Sequence, residues 1–168
     1  MRDKEDMSIK GLGNLERKLK KLRDINVKPI IEDASARVRD EARKNVVVDT
    51  GELQNSIRYR IEDKRNGNYR GVIYTNKEHG IYVEFGTGPV GESSHIGISP
   101  EVNPMYSPKG WTYYDKDKKQ FFYTKGQPAR PFLYPALHDN KDKIKKFIKY
   151  RMKNELKEAS KWLIISLK

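Results

Sequence analysis

The spacing of apolar residues predicts helices at the two ends of the chain. Over residues 12–24 leucines recur every three or four positions, and residues 29–45 continue with a similar spacing, which places one apolar stripe on a helix. Pro29 suits the first turn of the second helix. Residues 144–163 carry a further stripe, with most lysines opposite it. We therefore expect a pair of N-terminal helices and a long C-terminal helix that packs on one side.

A different periodicity occupies the middle of the chain. Residues 56–63 alternate apolar and charged side chains, and residues 69–75 return after an Asn-Gly pair, which is the strongest short signal for a hairpin turn. Two aromatic runs, 111–114 and 121–124, flank a charged segment and predict a second hairpin. The fold class that follows is α+β, with an antiparallel β-sheet packed with the N-terminal helices and the long C-terminal helix.

The chain of 168 residues is predicted to be a single domain over 1–168. Residues 1–7 are interpreted as a loose N-terminal extension, and a long insertion occupies about 89–127. Its first part, 89–110, is rich in Gly, Ser and Pro and has no periodicity, and loops of this length are usually functional or disordered. We expect the insertion to be flexible in the free subunit and ordered after assembly.

Aromatic residues of the second hairpin are the candidate interface residues. Trp111, Tyr113 and Phe122 stand close to a polar turn in a polar chain, and such aromatics are typical of protein interfaces. They could instead stack on nucleic-acid bases. We favour the interface, because the aromatics are more numerous than one thin sheet needs.

Composition argues against several classes of protein. The chain is 36% hydrophobic and 35% charged, and no stretch is apolar for the roughly 18 residues that a bilayer-spanning helix needs. There is no cysteine, and the three histidines fall in separate segments without the spacing of metal ligands. The sequence therefore predicts no metal, no cofactor and no membrane contact.

The net charge of +12 invites a nucleic-acid-binding function. Over much of the chain, however, acidic residues are interleaved with the lysines and arginines, as they are on solvated helix faces. The excess positive charge collects in residues 116–119 and 141–153. A basic nucleic-acid-binding module stays open as an alternative function.

Glu84 and Arg130 are isolated charges in constrained segments. Glu84 lies among apolar residues just before Gly86 and Gly88, two glycines that permit positive φ or close backbone approach. Arg130 is the only charge in a segment with three prolines. Glu84 could be the solvent-facing residue of a short strand or helical turn. Because an unpaired charge among such neighbours would be costly, we expect the two side chains to form a buried or half-buried ion pair.

Asp49, Thr50 and Gly51 reproduce the loop signature of aspartic proteases. Such an enzyme needs two loops whose aspartates share a proton, so a single copy could act only in a dimer. Glu52 would place an extra charge beside that pair, and the sequence offers no apolar flap. The preferred interpretation is that Asp49 caps a short helical turn and Glu52 completes a capping box. A dimeric aspartic protease stays an alternative.

Three segments, in this order, resemble the head–tail joining or tail-completion (neck) proteins of long-tailed double-stranded DNA bacteriophages. They are residues 48–57, residues 82–88, and residues 128–133 with 135–137. The family is named after gene product ten of a lambdoid phage and is related to the lambda minor tail protein Z. The amphipathic N-terminal helices and the lysine-rich closing helix are also similar in kind. The long insertion departs from the family pattern.

The resemblance implies a non-enzymatic virion part that is assembled in the cytoplasm of the bacterial host. It implies a homo-oligomeric ring, a hexamer in our interpretation, at the head–tail junction, in contact with other neck and tail proteins. DNA would be met at most indirectly, in the lumen of the ring. No residue would be catalytic, and the structural or interface residues would include Asp49, Thr50, Gly51, Glu84, Gly86, Gly88, Arg130 and Phe132.

Overall fold

The computed structural model describes residues 13, 20, 25–47, 51–65, 67–94 and 96–165, with side chains as far as residue 159. Its helices and strands confirm the α+β class. In chain order they are α1 (Lys28–Asn45), α2 (Glu52–Ser56), β1 (Arg58–Asp63), β2 (Tyr69–Tyr74), α3 (His79–Phe85), α4 (Gly88–Ser93), β3 (Trp111–Asp115), β4 (Gln120–Thr124), α5 (Leu133–His138) and α6 (Lys141–Ile165).

The strands form two separate antiparallel hairpins. In the first hairpin β1 pairs with β2, from Arg58 opposite Tyr74 to Asp63 opposite Tyr69. In the second hairpin β3 pairs with β4, starting from Trp111 opposite Thr124. Both hairpins occur where the alternation and the aromatic runs predict them, because period-two patterning matches the alternation of side chains along a strand.

The core lies between α1, the first hairpin and α5. The apolar stripe of α1 is buried along its length, and the hydrophobic cluster around it consists of Val38, Ala42, Val46, Leu53, Ile57, Phe132 and Ala136. Phe132 is among the most completely buried large side chains, so this predicted structural residue belongs to the core. The long helix α6 packs against α1, where the Arg37 guanidinium lies 4.0 Å from the centre of the Phe147 ring.

Two short helices lie around the start of the insertion. The segment around Glu84 is the helix α3, and the first part of the insertion, predicted as irregular, contains the short helix α4 with a proline in its first turn.

Of the predicted helix over 12–24, residues 13 and 20 are helical, and its other residues, like the predicted extension 1–7, lie outside the described part of the chain. None of the described helices is long and apolar enough to cross a membrane.

Gly71 of β2 is a point of very close approach between the first hairpin and α1. A Cβ atom added to Gly71 would lie 2.0 Å from Ser35 Oγ and 3.2 Å from Ser35 Cβ. Ser35 is buried, and its hydroxyl donates a hydrogen bond of 2.7 Å to the Ile31 carbonyl. The side chain therefore has a partner in place and cannot swing away without losing it.

Gly71→Ala is expected to lower the free energy of unfolding by about 1–3 kcal/mol, because an extra methyl group in a tight contact forces its neighbours to shift. Urea unfolding of the purified protein measures this loss. The control is Gly71→Ala in a Ser35→Ala background, where the nearer of the two contacting atoms is gone and the loss should be smaller. An equal loss in both backgrounds would contradict the contact.

Candidate functional site

Glu84 holds the start of α5 from a position 48 residues earlier in the chain. Its side chain is 5% exposed on α3. Oε2 accepts hydrogen bonds from the backbone N–H groups of Phe132 at 2.7 Å and Leu133 at 2.9 Å, and Oε1 accepts one from Tyr134 at 3.0 Å. The first N–H groups of a helix have no partner within the helix. A carboxylate at this end satisfies them and is also favoured by the helix dipole.

The predicted ion pair between Glu84 and Arg130 is wrong. Both side chains are described, yet their charged groups form no ion pair. The Arg130 side chain is exposed, and its backbone N–H donates to the Val83 carbonyl at 2.8 Å. The two segments are therefore joined as expected, but through backbone donors. The buried carboxylate is satisfied by N–H groups, whereas the long arginine side chain reaches water.

Gly86 and Gly88 allow the chain after α3 to touch the segment that leads into α5. Their φ angles are 74° and 59°, which favour glycine. A Cβ atom on Gly86 would lie 2.6 Å from the backbone nitrogen of Ala129, and one on Gly88 would lie 2.5 Å from the Lys125 carbonyl oxygen. Larger residues at either position would push the two segments apart.

The insertion starts and ends at one place. Thr87 and Gln127 form an isolated antiparallel bridge, with hydrogen bonds of 2.9 Å and 3.2 Å between their backbone groups. The Tyr106 hydroxyl reaches back to this base and donates to the Phe85 carbonyl at 2.7 Å, and burial raises the pKa of Tyr106. The Ser94 hydroxyl accepts the Ala129 N–H at 2.9 Å. The insertion thus leaves and rejoins the rest of the domain at one place, where hydrogen bonds connect its two ends.

The second hairpin presents aromatic side chains to solvent. Phe121 is 72% exposed and Tyr123 is 64% exposed. The register places them on one face with Tyr114, because Tyr114 pairs with Phe121 and Thr112 pairs with Tyr123. Across the strands, the Tyr114 and Phe121 ring centres are 5.1 Å apart. We call these three side chains the aromatic face.

The other face of this hairpin carries the three aromatic residues predicted for the interface. Tyr113 stacks on Phe122 with ring centres 6.0 Å apart. Trp111 is at the base, where its Cζ3 atom would lie 3.1 Å from a Cβ atom added to Gly88. The sequence therefore found the hairpin, but its most exposed residues, Phe121 and Tyr123, were not among the predicted residues. Cross-strand register would have been needed to identify them.

A groove of about 750 Å³ lies between β2, α3, α5 and the loop that follows α4. Consecutive residues of β2 from Arg70 to Ile73 line it, and side chains of neighbouring strand residues point to opposite faces. The edge of β2, rather than one face, therefore borders the groove. Glu84 also borders the groove, so the hydrogen bonds between its carboxylate and the start of α5 help to shape one wall of the groove.

The Asp-Thr-Gly segment is only partly described. Asp49 and Thr50 lie outside the described residues, and Gly51, with φ at 75°, holds the N-cap position of α2. The N-cap position predicted for Asp49 is thus held by Gly51, and Glu52 pairs with Lys77. The contacts of Asp49 in the predicted capping box lie outside the described residues. The hydrogen bond from Lys77 lowers the pKa of the Glu52 carboxyl.

The predicted site residues thus fall into two groups. Gly86, Gly88, Arg130 and Phe132 meet around Glu84 at the base of the insertion, whereas Trp111, Tyr113 and Phe122 lie on the hairpin that this base carries. Gly51, at the start of α2, belongs to neither group. Within the described part of the chain, no group of three or more His, Asp or Glu residues could hold a metal ion. The arrangement consists of a structural anchor, which is Glu84 bound to the start of α5, and an exposed aromatic surface on the second hairpin.

Comparison with known protein families finds a similarity to phage tail components in the N-terminal part of the chain. The family whose model matches is described as Bacteriophage HK97-gp10, putative tail-component, and the match covers residues 10–86. It includes the 48–57 segment and most of the 82–88 segment, and it ends before the insertion. The match confirms the resemblance to the gene-product-ten family and indicates a structural role in a phage tail, hence a virion part. Comparisons with curated proteins and with solved structures give no match.

Proposed function

We propose that this protein forms a homo-oligomeric ring, a hexamer, at the head–tail junction of a long-tailed bacteriophage, where it joins or completes the tail. The family match supports a tail component. The single observation that carries the proposal further is the second hairpin, an aromatic surface exposed to solvent on a base that is closed by backbone hydrogen bonds.

The hairpin needs a partner for two physical reasons. A two-stranded hairpin is at best marginally stable in water by itself, and large exposed apolar patches mark contact sites. Within the described residues, β3 pairs only with β4, so each strand also has a free edge that can pair with another chain. Contact with a neighbouring subunit would cover the aromatic face and the free edge together.

No residue of the β3–β4 hairpin lines the groove, so each subunit offers two unlike surfaces. Interfaces between unlike surfaces of identical chains close into rings when the rotation between neighbours allows it. In a closed ring each contact raises the effective concentration for the next, so weak individual contacts produce a strong assembly. A structural tail component with no catalytic residue would act through this multivalent assembly.

Native mass spectrometry and negative-stain electron microscopy of the full chain, alone and mixed with purified tails, test the proposal. We expect a ring of one defined subunit number, either in the free protein or on the head-proximal end of the tail. A protein that stays monomeric and does not attach to tails at any concentration would contradict it. Attachment only along the tail tube or at its tip would contradict the assignment to the head–tail junction.

A further inference from the structure

The helix α6 concentrates positive charge on its solvent side. Residues 141–153 contain seven basic residues and one acidic residue, a net charge of +6, which is half of the +12 of the whole chain. Five lysines follow one another at intervals of four residues, and all five side chains are exposed: Lys141, Lys145, Lys149, Lys153 and Lys157. We call these residues the lysine row.

Helix geometry makes the row continuous. Residues four apart are neighbours on the helix surface, and at about 1.5 Å per residue the five positions extend over about 24 Å. A different stripe of α6 faces α1. It includes Arg151, because the Arg151 guanidinium pairs with Asp33 of α1 at 3.1 Å. Glu155 and Glu158 follow Arg151 by four and seven residues and share that stripe. Asp142 is the only acidic residue of α6 beside the row.

The first four lysines of the row lack an acidic partner within the described part of the chain. Lys141, Lys145, Lys149 and Lys153 form no ion pair with the described residues. Like charges four residues apart destabilise a helix, and positive charge near the helix start opposes the dipole. An external polyanion would remove both penalties.

We propose that the lysine row of α6 binds the phosphate backbone of duplex DNA. Protein–protein interfaces are depleted in lysine, and in this chain the aromatic hairpin has the composition of such an interface. Duplex DNA carries one negative charge for about every 1.7 Å of its axis, so the row can meet several phosphates along its length. Contacts of this kind position a protein on DNA without reading its sequence.

This inference goes beyond the proposed function and does not depend on it, because the row is complete on one subunit. It differs from the sequence-based expectation that DNA is met only indirectly. That expectation came from the family resemblance, and the interleaving of acidic and basic residues along the chain argued further against a nucleic-acid-binding function. Helical spacing places two of the three acidic residues of α6, Glu155 and Glu158, on the side of Arg151 and away from the lysine row, which leaves the lysines together.

The test compares two triple variants that remove the same charge. One is Lys145→Gln, Lys149→Gln and Lys153→Gln in the lysine row. The matched control is Lys109→Gln, Lys116→Gln and Lys125→Gln, three exposed lysines of the insertion. Glutamine and lysine have similar helix propensities, so α6 should persist, and circular dichroism checks this. Fluorescence anisotropy with a labelled mixed-sequence duplex gives the affinity over a series of salt concentrations.

We expect the wild-type protein and the control to bind the duplex with the same salt dependence. Each phosphate contact contributes about −0.9 to the slope of log K against log salt concentration, so the row variant should lose about 2 to 3 units of slope and bind at least about tenfold more weakly at low salt. Equal weakening in both variants would show a general charge effect and overturn the proposal, as would a wild-type protein that does not bind.

Two competitors separate DNA from other anionic partners. Polyglutamate stands for an acidic protein surface, and phosphatidylserine vesicles stand for an anionic membrane. We expect duplex DNA to compete best at equal concentrations of anionic charge. Stronger binding of either competitor through the lysine row would overturn the assignment to DNA.

Discussion

Glu84→Ala is expected to lower the free energy of unfolding by roughly 3–5 kcal/mol. The substitution leaves three N–H donors at the start of α5 without their acceptor, and each unsatisfied buried donor costs about 1–3 kcal/mol, with less for donors that water can reach. Phe132, whose N–H donates to Glu84 at 2.7 Å, is itself a fully buried core residue. The loss would be a large fraction of the roughly 5–15 kcal/mol that stabilises a typical domain. Urea unfolding followed by circular dichroism measures it.

Two further variants show what kind of contact Glu84 makes. Glu84→Gln keeps one acceptor oxygen, so its loss of stability should be smaller than that of Glu84→Ala. Arg130→Ala should change stability by no more than about 0.5 kcal/mol, as is usual for an exposed side chain. If Arg130→Ala were as destabilising as Glu84→Ala, the ion pair expected from the sequence would be correct and the account of α5 would fail.

Replacing the aromatic face by threonine is expected to abolish assembly while the domain stays folded. The variant is Tyr114→Thr, Phe121→Thr and Tyr123→Thr, in which threonine keeps a high preference for strands. Central aromatic residues of an interface each contribute about 2 kcal/mol or more, and 1.4 kcal/mol is about tenfold in affinity. The three changes should therefore weaken each subunit contact by roughly a thousandfold or more. Native mass spectrometry and complementation of a phage that lacks this gene measure the loss.

The matched control lies in the same insertion but outside the hairpin. Ile96, Val102 and Met105 are also exposed apolar residues, and their replacement by threonine should leave assembly nearly intact. Urea unfolding should give similar stabilities for both variants, since neither set belongs to the core. Normal particle yields from the aromatic-face variant would contradict the role of the hairpin. An equal loss of assembly in the control variant would assign the subunit contact to the loop that carries Ile96, Val102 and Met105.

The sequence predicted most elements because their apolar residues are regularly spaced. The stripe of α1 is buried and the apolar side chains of β1 are half-buried, and both patterns follow which side chains turn away from solvent, so they are visible without coordinates. The helix α4 was missed because its six residues include two glycines and a proline, a composition typical of loops. In the structure a proline in its first turn and close contacts around Gly91 hold it.

The candidate site was predicted in its position but not in its contacts. Isolated charges identified Glu84 and Arg130 as residues that need an explanation, and the two segments do meet. The partner of Glu84 could not be inferred, because backbone N–H groups leave no signal in the sequence. The identity of a donor depends on where the chain happens to start a helix, here 48 residues later. Side-chain patterns alone favoured an oppositely charged side chain, that of Arg130, as the partner of Glu84.

Cryo-electron microscopy of virions of the phage that encodes this protein can show where the protein lies in the particle. We expect a ring at the junction between head and tail in which each subunit shows α1 packed on the β1–β2 hairpin. We also expect the β3–β4 hairpin of each subunit to contact a neighbouring protein. Virions in which this chain is absent, or in which it lies only along the tail tube or at the tail tip, would contradict the account.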